Sequence, residues 1–364
     1  DFNGFVNAKW VAANPIPSDR TRWGAFQQLA EKSLDTQHQI VEAAAKNAAG
    51  AKTGSIEQKI GRLYQSGMDD AAIEKAGFDP IKADLDAIAD LRNSAQIADY
   101  LGQSAALGLP FVFDFGSGAD FHDAKRQIGF ANEDGLGLPT KDYYTKPQFQ
   151  GIRDAYVAYI AKTLELTGVS DADAKTQADQ VMKFETELAA ASLTPTALRN
   201  LDNRYYFVSV EAADKVTPHF RWDEFFRAQG VTIDKGFSLS QPKFFAEFDK
   251  LLATAPVAEW RAYLRFHAID DASSGLSKNF RDNKFAFYGK TLSGQPEQKP
   301  RWKQVLSAVN GAMGQALGQL YVARVFTPEA KQRALALVSN VRDALKKRIE
   351  TLAWMSPATK ANAI

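Results

Sequence analysis

Four histidines are the first residues to consider for chemistry, because a chain without cysteine has no thiol nucleophile and no thiolate metal ligand. They are His38, His122, His219 and His267. No two of them lie three to five residues apart, and none belongs to an H-E-x-x-H pattern. A helical zinc site needs two imidazoles on one face, so the sequence forms no such site locally. Only His122, flanked by Asp120 and Asp123, merits a metal test.

Other residue patterns also fall short of a catalytic centre. The pairs Asp69-Asp70 and Asp270-Asp271 are adjacent in sequence at predicted helix ends, where solvated caps explain them better than acid–base catalysis. Gly135-Leu136-Gly137 lacks the third glycine and the Lys-Ser/Thr pair of a phosphate loop, so it is interpreted as a turn. No Gly-x-Ser-x-Gly elbow occurs. Residue chemistry alone indicates a helical globular protein without a catalytic centre.

Arg22 is the most specific candidate for binding. It lies in SDRTRWGAF, after the Pro15–Pro17 turn and at the start of the first long predicted helix. With Trp23 and Phe26 beside it, its guanidinium suits a bidentate pair with a carboxylate in a partly apolar cleft. A surface salt bridge is the competing interpretation of the same residue.

Composition limits the class of protein. The 364 residues include 44 Lys and Arg and 43 Asp and Glu, so no bulk field attracts nucleic acid or an anionic membrane. No run of about 18 apolar residues predicts a membrane span. The opening DFNGFVNAKW shows no signal-peptide pattern, and the removal of a signal stays open. The length is sufficient for a sizeable core.

Most segments of the chain have helical periodicity, so the candidate residues above are expected to be positioned mainly by helices. This periodicity is present from Trp23 to Asn47, and Ser55, Asp79 and Ser94 are predicted to open three further helices. Near the end, apolar residues at helical spacing predict another long helix, and they are Val338, Val341, Leu345 and Leu352. Ser356-Pro357 predicts a last helix start, and the short helix that follows either frays at Ile364 or continues beyond it.

The strand signal is small. Residues 110–118 and 126–133 are short, aromatic or β-branched and bounded by glycine, which predicts two strands. The stretch LGLPTKDYYTKPQ between this region and the next helix is predicted as a turn-rich loop. The sequence therefore predicts a mainly α-helical body with one small two-stranded β excursion.

Seven segments resemble, in order along the whole chain, the N-terminal part of the neprilysin-type zinc metallopeptidases. This family includes neprilysin, endothelin-converting enzyme and bacterial oligopeptidases. The segments are DFNGFVNAKW, NPIPSDRTRWGAFQQL, EQKIGRLYQSGMD, GLGLPTKDYY, FAFYGKTLSGQPEQKPRWKQV, MGQALGQLYVARVF and LAWMSPATK.

The resemblance implies a large helical lobe that forms a lid over a thermolysin-like catalytic lobe absent from this chain. Residues 1–48 would be an N-terminal strip and first long helix that pack partly on the catalytic lobe. Residues 49–326 would form the lid lobe, and residues 327–364 would lead back to the catalytic lobe. The zinc ligands would lie in H-E-x-x-H and E-x-x-x-D motifs beyond residue 364, so no zinc is expected within residues 1–364 and this fragment alone is expected to be inactive.

The resemblance also implies a function. The full-length enzyme would hydrolyse peptide bonds in oligopeptides by zinc-activated water, with no nucleic acid partner and no membrane span. Arg22 would pair with the carboxyl terminus of the substrate, and Phe26 would be the aromatic beside it. A periplasmic, secreted or cell-envelope location would fit, with a cytoplasmic one left open. The alternative is a free-standing, non-catalytic helical peptide-binding or scaffold protein.

Overall fold

A computed structural model describes all residues from 1 to 364, which form two compact units. Unit 1 consists of Asp1–Pro17, Arg22–Asp69 and Lys299–Ile364, and unit 2 consists of Ser18–Thr21 and Asp70–Gln298. Both are mainly α-helical, as the sequence predicted, and unit 2 contains one small sheet. The functional division at residues 48 and 326 stays a prediction.

Seventeen α-helices make up most of the chain. Their bounds are α1 Phe2–Ala13, α2 Ala25–Asn47, α3 Ile56–Met68, α4 Asp70–Ala76, α5 Lys82–Asp90, α6 Ser94–Ala106, α7 Lys141–Thr145, α8 Gln150–Glu165, α9 Asp171–Ala191, α10 Val210–Val216, α11 Trp222–Ala228, α12 Pro242–Thr254, α13 Val257–Ala272, α14 Lys278–Lys284, α15 Arg301–Val325, α16 Pro328–Thr351 and α17 Pro357–Ala363. A π-helix follows α14 at Phe285–Leu292. The strands are β1 Phe113–Ala119, β2 Gln127–Glu133, β3 Phe207–Val208 and β4 Phe237–Leu239.

Unit 1 has a core made by α2, α3 and α15. The residues that these helices bury together are Ile40, Val41, Ala44, Ile60, Tyr64, Val305, Leu306, Val309 and Leu317. Close approach of α2 and α3 depends on Gly61, because a Cβ there would lie 2.3 Å from the carbonyl oxygen of Ala44. The helices α1, α16 and α17 bury no residue.

Unit 2 has a larger core that is rich in aromatic rings. Its fully buried rings include Phe184 of α9, Phe248 of α12, and Trp260 and Tyr263 of α13. The Phe184 and Tyr263 ring centroids are 4.5 Å apart, a contact that adds to the burial of their apolar area. This core packs α8, α9, α12 and α13 together with residues of the sheet.

The sheet has four strands in the order β1-β2-β4-β3. The predicted hairpin is confirmed, with β1 and β2 antiparallel and Phe113 opposite Glu133. β4 pairs in parallel with β2, and β3 pairs antiparallel with β4. The expectation of two strands was therefore too low, because β3 and β4 have only two and three residues and show no alternating pattern.

Several predicted helix starts are confirmed, and others shift. The side chains of Ser55 and Ser356 cap α3 and α17 by accepting hydrogen bonds from Gln58 N–H and Thr359 N–H. The cap of α6 is Asn93 rather than Ser94, since the Asn93 side chain accepts from an amide of the first turn. The predicted loop after the hairpin contains the short helix α7. No helix combines the length and apolar character needed to cross a membrane.

Candidate functional site

Arg22 and Phe26, the two predicted substrate-contacting residues, lie on the surface of unit 1 where α2 begins. The Phe26 ring is 85% exposed, in the first turn of the helix. Arg22 is exposed, two residues before the N-cap Gly24, and its guanidinium makes no hydrogen bond or ion pair. The two side chains are therefore available for a ligand, and their role in binding stays a prediction.

Three of the four histidines have structural partners in separate places. His38 stacks on Trp302 with ring centroids 4.1 Å apart, and its Nε2 lies 3.1 Å from the Tyr64 hydroxyl. His219 Nδ1 lies 2.9 Å from an Asp249 carboxylate oxygen. His267 contacts a buried carboxylate described below. No two histidines converge on one point.

The fourth histidine, His122, is exposed beside a carboxylate that already has partners. Asp120 accepts hydrogen bonds from His122 N–H and from the Tyr205 hydroxyl, both at 2.9 Å, and Arg126 lies 3.8 Å away. These contacts lower the pKa of Asp120, the backbone N–H of His122 most of all. The structure contains no group of three or more His, Asp or Glu side chains arranged to hold a metal ion, so its residues do not fit a zinc site.

Unit 2 contains a cavity of about 880 Å³ at one end of the sheet, which we call the strand-end cavity. It is lined by the start of β1, the end of β2, the loop 134–140, the segment after α9, and Tyr288 and Leu292 of the π-helix. Its volume lies within the range of about 300–1,000 Å³ that is usual for ligand sites. The cavity is therefore large enough for a small ligand or a side chain, and its lining includes polar groups for recognition.

Glu133 is a carboxylate of the cavity wall whose pKa is raised above its ordinary value. Its two carboxylate oxygens lie 3.0 and 3.1 Å from Leu193 N–H, and its own N–H donates to Gln241 Oε1 at 2.8 Å. Burial raises the pKa of Glu133 to about 7, although the Leu193 N–H and the charge of Lys141 oppose the shift. The Lys141 ammonium itself donates to the Ser192 carbonyl at 2.6 Å, at the end of α9.

The loop 134–140, which lines the cavity, is held in place by the fully buried carboxylate of Glu185. This carboxylate accepts from Gly137 N–H at 3.1 Å, from the Tyr144 hydroxyl at 2.5 Å and from the Tyr156 hydroxyl at 2.9 Å. His267 Nε2 lies 2.8 Å from the same carboxylate. Burial raises the pKa of both tyrosines, so they remain donors.

Gly137 permits this arrangement, since a Cβ there would lie 1.7 Å from the Tyr156 hydroxyl oxygen. The sequence reasoning treated this glycine as part of a turn and missed Glu185 altogether. A signal was present, because Glu185 falls on the same face of α9 as Ala178, Val181 and Leu188, which are all buried. A carboxylate within a buried stripe requires several donors.

Known proteins resemble this chain in sequence over its full length. Neprilysin-3 of Drosophila melanogaster is 26% identical and endothelin-converting enzyme 1 of Cavia porcellus is 23% identical, each over 100% of this chain. The alignments cover 49% of each relative, so the chain spans about half the length of the curated relatives it matches.

Solved structures agree with the fold. The zinc metalloprotease Zmp1 of Mycobacterium tuberculosis, in complex with an inhibitor, superposes with a TM-score of 0.91 at 31% identity, over 100% of this chain and 55% of that one. PepO of Lactobacillus rhamnosis superposes with a TM-score of 0.85 at 21% identity, over 99% of this chain and 57% of that one, which supports the fold alone.

The sequence pattern described as Peptidase family M13 matches residues 1–364, which is every residue of the chain. These matches confirm the neprilysin-type resemblance that the seven motifs predicted. The chain belongs to peptidase family M13.

Proposed function

We propose that this chain is the N-terminal, substrate-enclosing part of a zinc-dependent endopeptidase or oligopeptidase that hydrolyses short peptides. The main support is the superposition of all its residues on about half of a zinc metalloprotease with a TM-score of 0.91. The zinc ligands belong to a catalytic lobe beyond residue 364, in accord with the lack of a metal-binding group in this chain. A periplasmic or cell-envelope location suits an enzyme of this kind.

The exposed apolar surface of unit 1 supports a partner lobe of the same protein. Large apolar side chains of α1 are open to solvent, with Phe2 at 80% and Phe5 at 87% exposure. Those of α16 are also open, with Val341 at 61% and Leu345 at 56%. Apolar surface of this extent usually marks a contact with another protein surface.

The alternative, a free-standing peptide-binding or scaffold protein, would lack such a surface. The exposed faces of α1 and α16 therefore favour the peptidase over the scaffold.

The test uses the full-length protein with a series of peptides of increasing length and one stably folded protein. We expect cleavage of the short peptides, loss of cleavage with 1,10-phenanthroline, recovery with zinc and no cleavage of the folded protein. A folded substrate would have to unfold before it entered an enclosed chamber, which is the reason for the size limit. Full activity without any metal would contradict the proposal, and cleavage of the folded protein would contradict enclosure.

A further inference from the structure

The strand-end cavity lies where two parallel strands finish. β2 ends at Glu133, and β4 ends two residues before Gln241, so both carboxyl ends face the cavity. The two residues are joined, because Glu133 N–H donates to Gln241 Oε1 at 2.8 Å. Strand geometry therefore fixes the polar wall of the cavity.

The remaining walls are largely apolar. They include Leu136 and Pro139 of the loop 134–140, Leu193 and Leu198 after α9, and Leu292 of the π-helix. The Glu185 hydrogen bonds hold the loop in place, so the cavity is formed before any ligand arrives. A preformed site avoids part of the ordering cost of binding.

Glu133 is the half-buried carboxylate of the polar wall, whereas Asp114 and Asp134 are exposed, and it has spare acceptor capacity. An ionised carboxylate has about four acceptor positions, and the only donor to this one is Leu193 N–H. Lys141 does not neutralise it directly, since its ammonium donates to the Ala190 and Ser192 carbonyls. A cationic ligand group would supply the missing donors.

The other ionisable groups that line the cavity leave its balance acidic. Asp114 and Asp134 are exposed acids, and Arg204 is an exposed cation on a 3₁₀ turn. Tyr288 is neutral, because burial and the nearby Asp270 carboxylate raise its pKa. With Glu133 ionised, three carboxylates face two cations, and one of those cations is occupied by helix carbonyls.

We propose that the strand-end cavity binds a basic side chain of an oligopeptide, with the Glu133 carboxylate pairing with the cation. The aliphatic stem of arginine or lysine packs on the leucine and proline walls while its charged end reaches the polar wall. Peptide as the ligand class rests on the function proposed above. Cation recognition rests on the cavity itself.

The experiment measures binding rather than cleavage, by fluorescence anisotropy on the full-length protein with 1,10-phenanthroline present to prevent hydrolysis. Two labelled alanine-based peptides differ at one internal position, which is arginine in one and the uncharged isostere citrulline in the other. We expect the arginine peptide to bind about tenfold more tightly, as for one charge-assisted hydrogen-bonded pair. The preference should grow from about pH 6 to about pH 8, because Glu133 ionises near neutral pH.

Two variants and one control test the assignment. Glu133→Gln should abolish the preference for arginine, and Leu198→Lys, which places a resident cation in the cavity, should abolish it independently. Asp179→Asn is the matched control, an exposed carboxylate of α9 outside the cavity, and should leave the preference unchanged. A preference that survives both cavity variants overturns the proposal, and so does an equal loss of affinity for the two peptides. Binding with this preference but without cleavage at any metal content would overturn only the proposed peptidase function.

Discussion

Arg22 and Glu133 carry opposite charges in opposite environments, one exposed at the start of α2 and the other partly buried at the end of β2. The guanidinium of Arg22 is open to solvent and makes no ion pair within the chain. Glu133 is partly buried, and a single N–H, that of Leu193, donates to its carboxylate. Ligand binding would therefore cost Arg22 its hydration, whereas it would give Glu133 a partner.

Replacing Arg22 with methionine tests the prediction that it pairs with the carboxyl terminus of a peptide substrate. In the full-length enzyme, Arg22→Met should lower kcat/KM about tenfold or more for peptides with a free carboxyl terminus and spare their amidated counterparts, because only the former lose a charged pair. Steady-state kinetics on the two peptide forms makes the comparison. Lys9→Met, a change of another cation of unit 1, is the control. Equal losses for both forms would remove Arg22 from the binding site.

Replacing Glu133 with glutamine tests its burial through the pH dependence of stability. Since the folded pKa of about 7 lies above the usual 4.5, the unfolded chain releases its proton first as pH rises. Stability contributed by this group is thus complete below about pH 4.5 and falls until about pH 7. Glu133→Gln should therefore be more stable than the parent by about 1–3 kcal/mol at pH 8 and equal to it at pH 4.

Urea unfolding at the two pH values, followed for unit 2, measures this difference. Asp179→Asn serves as the exposed control and should show no such divergence. If the difference in free energy of unfolding between the parent and Glu133→Gln is the same at both pH values, the Glu133 carboxyl is not desolvated.

Among the elements, α9 has a structural role that its apolar pattern only partly reveals. One face of the helix enters the core through Val181, Phe184 and Leu188, and the same face delivers Glu185 to the loop 134–140. The short helix α7 contributes the Tyr144 hydroxyl to the same carboxylate. A buried acid thus connects two helices and a loop that the sequence separates by about 40 to 50 residues.

Substituting this acid should loosen the loop selectively. Glu185→Gln replaces one acceptor oxygen with an amide donor that faces hydroxyl or N–H donors, which should cost about 2–3 kcal/mol. Amide hydrogen exchange should accelerate at Gly137 and Leu138 while the far end of α9 stays protected. Glu187→Gln, two residues along on the solvent-facing side, is the matched control and should exchange like the parent. Unchanged protection of the loop in Glu185→Gln would show that the carboxylate does not hold it.

Sequence reasoning predicted elements well where the physical signal is local. Ser55 and Ser356 were recognised as caps because a side-chain oxygen and its amide partner lie three residues apart. The hairpin was recognised from its aromatic residues and bounding glycines. β3 and β4 were missed because their pairing depends on residues far away in sequence, and α7 was missed because one helical turn shows no periodicity.

For the whole molecule, the surface of unit 1 dominates the expected behaviour in solution. The apolar residues at helical spacing predicted the helix α16. Three of them, Val338, Val341 and Leu345, are more than half exposed to solvent. Periodicity predicts that a helix has an apolar face, but it does not identify the surface that covers that face. The same limit applies to Arg22. The local motif identifies it as a candidate binding residue, but the group that pairs with its guanidinium is not encoded in that motif.

The isolated chain of residues 1–364 should therefore self-associate. Sedimentation velocity should show concentration-dependent oligomers that decrease in the double variant Val341→Gln, Leu345→Gln, with stability changed by less than about 0.5 kcal/mol because both side chains are exposed. Leu107→Gln is the control, since Leu107 is 80% exposed in unit 2 and lies on neither helix. A parent chain that is monomeric at all concentrations would contradict an unpartnered apolar face.

The course of the chain between the two units has a consequence for biosynthesis. The polypeptide leaves unit 1 at Asp69 and rejoins it at Lys299, and Arg301 donates to the Gly67 carbonyl across 234 positions. A ribosome must therefore release the whole intervening unit before α2 and α3 meet α15. Until that moment the nascent α2–α3 hairpin exposes its apolar face, so chaperone capture and slow, late closure should characterise the maturation of this protein.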